Sequence, residues 1–127
     1  MPQVLKRRGF AKWQAAQQLP DSALCAAVQE MEHGLVDAHL GAQLLKKRIA
    51  RAGSGKSGGY RTLVSARMGS CYVFLHGYCK NEQSNINDVE RKALQFAGNV
   101  LLQLRDAALK KALQSGALFE VNCEQYH

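Results

Sequence analysis

The stretch from residue 43 to residue 79 constrains the fold most. Residues 43–50, 60–67 and 71–79 are rich in β-branched, aromatic and apolar side chains, and turn chemistry separates them. A glycine-rich hinge lies between the first two, and Met68-Gly69-Ser70 is a tight turn between the second and third. Three strands with such short connections pair antiparallel, and the rest of the chain must pack around that sheet.

The hinge also contains a decoy. Residues 50–57, ARAGSGKS, satisfy the loosest nucleotide-binding pattern, which ends in Gly-Lys-Ser. A phosphate-binding loop needs a buried strand before it and a helix opening at the Lys-Ser, because the helix's free N–H groups hold the phosphates. Here Leu45-Lys46-Lys47-Arg48-Ile49 precedes the pattern and Tyr60-Arg61-Thr62-Leu63-Val64 follows it, so both flanks read as half-exposed strands. No nucleotide or other cofactor is expected.

Helical signals flank the sheet. Phe10 and Trp13 share a face of a short helix ending near Leu19-Pro20. Asp21 or Ser22 caps a second helix, with Leu24, Val28 and Met31 at helical spacing and Gly34 as its stop, so the two form a hairpin. Farther on, Asn87-Asp88-Val89-Glu90 has capping-box spacing. It opens one long helix with an apolar stripe of Ala93, Ala97, Val100, Leu101, Leu104 and Ala108, ended by Gly116. Leu118-Phe119-Glu120-Val121 suits a short edge strand, and the tail after it is expected to be loose. The expected architecture is α+β: one domain over residues 1–127, with its core at about 10–114. A small antiparallel sheet carries the helical hairpin and the closing helix on one face. At 127 residues and 46% hydrophobic content the chain supports one core and not two.

Charge points toward function. Between Ala38 and Asn81 stand eight cations and no carboxylate, whereas the rest of the chain holds nine basic and ten acidic residues. The whole net charge of +7 therefore resides in the sheet segment, which suggests a polyanionic partner, most simply nucleic acid. Cys25, Cys71, Cys79 and Cys123 show no zinc or C-x-x-C spacing and are expected to be buried thiols. The four histidines are scattered, so no metal site is expected. No apolar run is long enough for a bilayer and the first residues lack a secretory core, so a soluble, cytoplasmic protein without membrane contact is expected.

Strand alternation sorts the cations. With a period of two, Lys46 and Arg48 share a face, and Lys47 lies with Leu45 and Ile49. Arg61, Leu63, Ser65 and Arg67 share a face of the second strand, and Tyr72, Phe74, His76, Tyr78 and Lys80 a face of the third. Convergence of Lys46, Arg48, Arg61 and Lys80 would form a cationic site beside aromatic rings.

Lys46-Lys47-Arg48-Ile49, Gly59-Tyr60-Arg61 and Lys80-Asn81-Glu82 after an aromatic strand resemble the RelE/HigB superfamily of toxins from bacterial type II toxin–antitoxin modules, over residues 10–94. The resemblance implies a RelE-like fold, a ribosome-dependent endoribonuclease that cuts mRNA and inhibits translation, and a cognate antitoxin. It puts the catalytic positions on Lys46, Arg48 and Arg61, with Lys80 the nearest cation to a further arginine position that here holds Asn81. The family's tyrosine position holds Asn87. Lys47, Arg51, Lys56, Tyr60, Arg67 and Asn81 are expected to be RNA contacts around them. Cleavage by the neighbouring 2′-hydroxyl needs a base, cations on the phosphorane and an acid for the leaving 5′-oxygen. Lys46 or Lys80, crowded by like charges, is the expected proton acceptor. Arg48 and Arg61 grip phosphate oxygens. His76 is expected to be a packed strand histidine, and an alternative base if it faces the groove. A non-catalytic RNA- or DNA-binding module and a ParE-like gyrase inhibitor are the other classes compatible with this fold.

Overall fold

The computed structural model describes residues 1–51, 55–81 and 85–124, with 55–57 described by backbone alone. In chain order the elements are β1 (Gln3–Arg7), α1 (Arg8–Gln17), α2 (Asp21–Glu32), β2 (Ala38–His39), β3 (Leu44–Arg51), β4 (Gly55–Arg67) and β5 (Cys71–Cys79). Then follow α3 (Asp88–Leu102), α4 (Asp106–Ser115) and β6 (Leu118–Glu120). The three expected strands are present as β3, β4 and β5 and pair antiparallel, as the turn signals require. Strand β4 begins at Gly55, so the Gly-Lys-Ser of the decoy pattern continues as strand and opens no helix.

The sheet is larger than expected, with strand order β2-β3-β4-β5-β1-β6. Strand β1 lies parallel to β5 and antiparallel to β6, so both chain ends close the sheet. Five residues, of which the last two are charged, carry too weak an alternation to announce such an interior strand. The core consequently extends beyond residues 10–114, and Val4, Leu5, Leu118, Val121 and Cys123 are all buried.

The helices divide between the two faces, which corrects the expectation of a single covered face. Phe10 of α1 and Leu24, Val28 and Met31 of α2 pack on Val4, Leu45, Ile49, Val64, Tyr72 and Phe74. On the other side Leu94 and Leu102 of α3, with Leu109, Ala112 and Leu113 of α4, cover Leu5, Leu44, Leu63, Val73 and Leu75. Alternation along β3 makes this two-sided core possible, because Leu44 and Leu45 point to opposite faces and both are buried.

The expected long helix is two. The Asn87–Glu90 capping box forms with both hydrogen bonds in place, but the helix stops at Leu102 and restarts at Asp106, where φ is +49°. The buried face of α3 is also turned by one position, to Leu94, Gly98 and Leu102. A Cβ on Gly98 would lie 2.7 Å from the Ser65 Cβ, so glycine there lets α3 press against β4. The expected stripe of Ala93, Ala97 and Val100 therefore borders solvent.

The cysteines also depart from expectation. Cys25 of α2 and Cys123 form a disulfide across a sequence separation of 98 residues and tie the tail to the helical hairpin, whereas Cys71 and Cys79 are buried thiols outside it, as expected. No local spacing announces a pair that only the packing of the tail brings within 5.5 Å between Cα atoms. No helix among the described residues is long and apolar enough to cross a membrane.

Candidate functional site

The site is built on the α3 face at the end of the β3–β4–β5 ladder. Arg48 lies directly opposite Arg61, and Arg61 directly opposite Tyr78. One step along, Lys46 is opposite Leu63 and Leu63 opposite His76. Directly opposed residues hold their Cβ atoms about 4.5–5.5 Å apart, so the register alone sets Lys46, Arg48, Arg61, His76 and Tyr78 in two adjacent rows.

Two of these residues reach this face through an irregularity. Between Leu63–His76 and Val64–Phe74 the ladder skips Leu75, so β5 has a bulge there. Uniform alternation would put Tyr72, Phe74, His76 and Tyr78 on one face. Instead Tyr72 and Phe74 belong to the α1/α2 core, while Tyr78 joins the α3 side and His76 stacks against it at 5.9 Å between ring centroids. Gly77, which faces the opposite side, lies directly beneath the Trp13 ring. This corrects the single face of Tyr72, Phe74, His76, Tyr78 and Lys80 expected from the period of two.

The side chains differ in freedom. Lys46 is half-buried, with its Nζ donating to Asn85 Oδ1 at 3.5 Å. Arg48 stands on the sheet edge, where its N–H and Nε donate to Asp37 at 2.7 and 2.8 Å, and it also borders a cavity of about 190 Å³ beside α2. Burial pushes the Asp37 carboxyl up, but the two hydrogen bonds and the charge of Arg48 hold it below its ordinary value on balance. Arg61 is buried at 8% exposure, with Nη1 donating to the Gly59 carbonyl at 3.3 Å. Lys80 and Asn81 are exposed in the turn after β5, at the edge of the two rows.

His76 and Tyr78 carry the signature of an unfinished polar site. The His76 Nε2 and the Tyr78 hydroxyl are buried and have no hydrogen-bond partner among the described residues. Such orphans in a native fold call for a ligand, a water or a functional explanation. Burial, with Arg7 adding to it, holds the His76 ring below its ordinary value against an opposing pull from Glu90. Burial raises the Tyr78 hydroxyl, with Arg61 drawing it down and Glu90 pushing it up. At neutral pH the pair is thus a neutral imidazole beside a protonated phenol.

Several expected RNA contacts lie elsewhere. Lys47 points to the α2 side as its alternation required, but it is 2% exposed, ion-paired with Glu30 at 2.7 Å and donating to the Leu35 carbonyl at 2.9 Å. That corrects its assignment to RNA, since a cation so enclosed presents no charge to a phosphate. Tyr60 is corrected likewise. Its ring is in the α1/α2 core, edge-on to Trp13, and its hydroxyl donates to Gln17 O. Arg51 stacks over Tyr60 at 5.7 Å, at a distance from Arg61's face. Arg67 shares the face of Arg61 but lies six residues along the strand, about 20 Å away, where it donates to Leu102 O at 3.4 Å. The Lys56 side chain, residues 52–54 of the hinge and Glu82 lie outside the described residues.

An open sheet with an N-terminal helical hairpin on one side and two C-terminal helices on the other, carrying a row of arginines at one end, frames the comparison with known proteins. Residues 2–121 match the family described as the RelE toxin of the RelE/RelB toxin–antitoxin system. The chain belongs to the RelE toxin family. No curated protein matches it. As a RelE toxin it is the toxic member of a toxin–antitoxin module, and the module implies an antitoxin as partner.

Proposed function

We propose that this RelE toxin acts on translating ribosomes as an mRNA endoribonuclease, with Lys46, Arg48 and Arg61 at the centre of its site and Lys80 at the rim. The observation that carries the reading is the register Arg48–Arg61–Tyr78, flanked by Lys46 on the same face. Two guanidiniums from adjacent strands match the spread charge of a pentavalent phosphorane, and arginine remains charged where it is partly desolvated. In the cleavage step the 2′-oxygen bonds to phosphorus while the bond to the 5′-oxygen breaks. The 2′-hydroxyl proton passes to a base, and another proton reaches the leaving oxygen. Lys46 is the first candidate for that base; the neutral His76 ring, turned to this face by the bulge, is the second.

The burial of Arg61 and the pairing of Arg48 with Asp37 favour a second reading, in which the same face binds RNA without cutting it. One experiment separates the two. The purified chain and its Arg61→Ala variant are added to a cell-free translation reaction, and mRNA 5′ ends are mapped. New ends at ribosome-occupied codons with the wild type, absent with Arg61→Ala and absent without ribosomes, support cleavage. Inhibited translation on intact messages supports binding alone, and unimpaired translation ends both.

A further inference from the structure

The tail after β6 rests lightly on the domain. Asn122 and Glu124 are exposed, and Val121 and Cys123 are buried. The Val121 N–H donates to the Val4 carbonyl at 2.8 Å, and its side chain joins Val4 and Phe10 in the α1/α2 core. The covalent tie is the disulfide between Cys123 and Cys25.

The two ends of that bond differ in access. Cys25 stands in the middle of α2 beside Leu24, with Val28 packed in the same core. Cys123 borders a groove of about 300 Å³ that Met1, Gln3, Glu120 and Glu124 also line and Cys25 does not. A small molecule in the groove therefore meets the Cys123 end first. Cys123 is only 4% exposed, so attack on its sulfur requires the tail to lift, a local opening that uncovers Val121 and breaks its hydrogen bond to Val4. Exchange depends on access and on which sulfur is attacked. The two carboxylates lining the groove favour a cationic thiol over an anionic one.

We propose that Cys123 is a thiol-exchange site, at which a low-molecular-weight thiol opens the bond to Cys25 from the groove and releases the tail from α2. The attacking thiolate bonds to the Cys123 Sγ while the bond between the two cysteines breaks, and Cys25 leaves as a thiolate that takes a proton from water. A second thiolate attacks the small-molecule sulfur of the mixed disulfide, which yields the small-molecule disulfide and leaves Cys123 as a thiolate, protonated in turn. Two thiols are oxidised and one protein disulfide is reduced. The sheet persists, because β6 still pairs with β1, but the released tail is open to exopeptidases. The integrity of this end of the chain thereby follows the thiol concentration around it. The exchange does not rest on the toxin reading.

The test uses the full oxidised chain, mixed with cysteamine or mercaptoacetate at equal thiolate concentration, quenched early with iodoacetamide and mapped by peptide mass spectrometry. The mixed disulfide should be found on Cys123 and the alkyl group on Cys25. The rate should rise in proportion to thiol and be higher for cysteamine, a difference that salt removes. Carboxypeptidase should stop short of Cys123 in the oxidised chain. After opening it should run on through Val121 about a hundredfold faster, within the range expected for loss of such a crosslink. A chain carrying Cys25→Ser and Cys123→Ser together should be digested like the opened wild type. Adducts on Cys25, a rate independent of thiol concentration, or equal rates for the two thiols would overturn the proposal. So would a tail that resists digestion after reduction. Alkylation of both cysteines without added thiol would overturn it as well, since there would be no bond to exchange.

Discussion

Lys46 and Lys47 are chain neighbours on opposite faces of β3, so one methionine substitution at each should have opposite consequences. Lys47→Met keeps the apolar stem but removes the ammonium from Glu30 and from the Leu35 carbonyl. Removing one partner of a fully buried pair costs about 3–5 kcal/mol. The Glu30 side chain is 35% exposed and can regain water, so about 2 kcal/mol is the reasonable magnitude here. With an unfolding entropy of about 2.1 cal/mol/K per residue, the chain unfolds with roughly 270 cal/mol/K, and the melting temperature should fall by about 7 °C. Inhibition of translation measured well below that midpoint should be unchanged. Lys46→Met removes only a long contact to Asn85 and should leave stability within about 0.5 kcal/mol. It should lower inhibitory activity by about a hundredfold, if the ammonium acts at the phosphate. Calorimetry and dose-response in cell-free translation measure both quantities. Loss of activity without loss of stability in Lys47→Met would refute the face assignment from which the site is built.

Three other outcomes are expected. Gly98→Ala brings a methyl into the Ser65 side chain, and overpacking of about 1–3 kcal/mol should outweigh the helix propensity gained; a higher melting temperature would show that α3 is not pressed on β4 as described. Replacing Cys25 and Cys123 together by serine, or reducing them, should cost about 2–5 kcal/mol, since the crosslink closes a loop across a separation of 98 residues; an unchanged unfolding midpoint in reductant would contradict that. Asp21, Glu32 and Asp37 all titrate below their ordinary values of 3.8, 4.5 and 3.8 in the fold. Their contribution is therefore complete above those values and lost as pH falls through the folded ones. Denaturant midpoints should be level near neutrality and drop below about pH 4, and Asp37→Asn, which removes the partner of Arg48, should shrink that drop.

Much of the framework is legible in the sequence. The glycine hinge and the Met68-Gly69-Ser70 turn determined an antiparallel β3–β4–β5 meander, because turn geometry is local. The capping box at Asn87 and Glu90 placed the start of α3 for the same reason. The carboxylate-free charge block, with its period of two, put Lys46 with Arg48, and Arg61 with Leu63 and Ser65.

Tertiary structure decided what depends on partners far along the chain. The place of β1 is set by β5 and β6, and the disulfide by the docking of a tail on α2. Which apolar stripe of α3 is buried depends on Gly98 fitting over Ser65, a contact no helical periodicity contains. Above all, the skipped residue at Leu75 turns His76 and Tyr78 toward the arginines. A bulge arises from how two strands share hydrogen bonds, so one strand's sequence has no mark for it, and the composition of the site follows from that single offset in register.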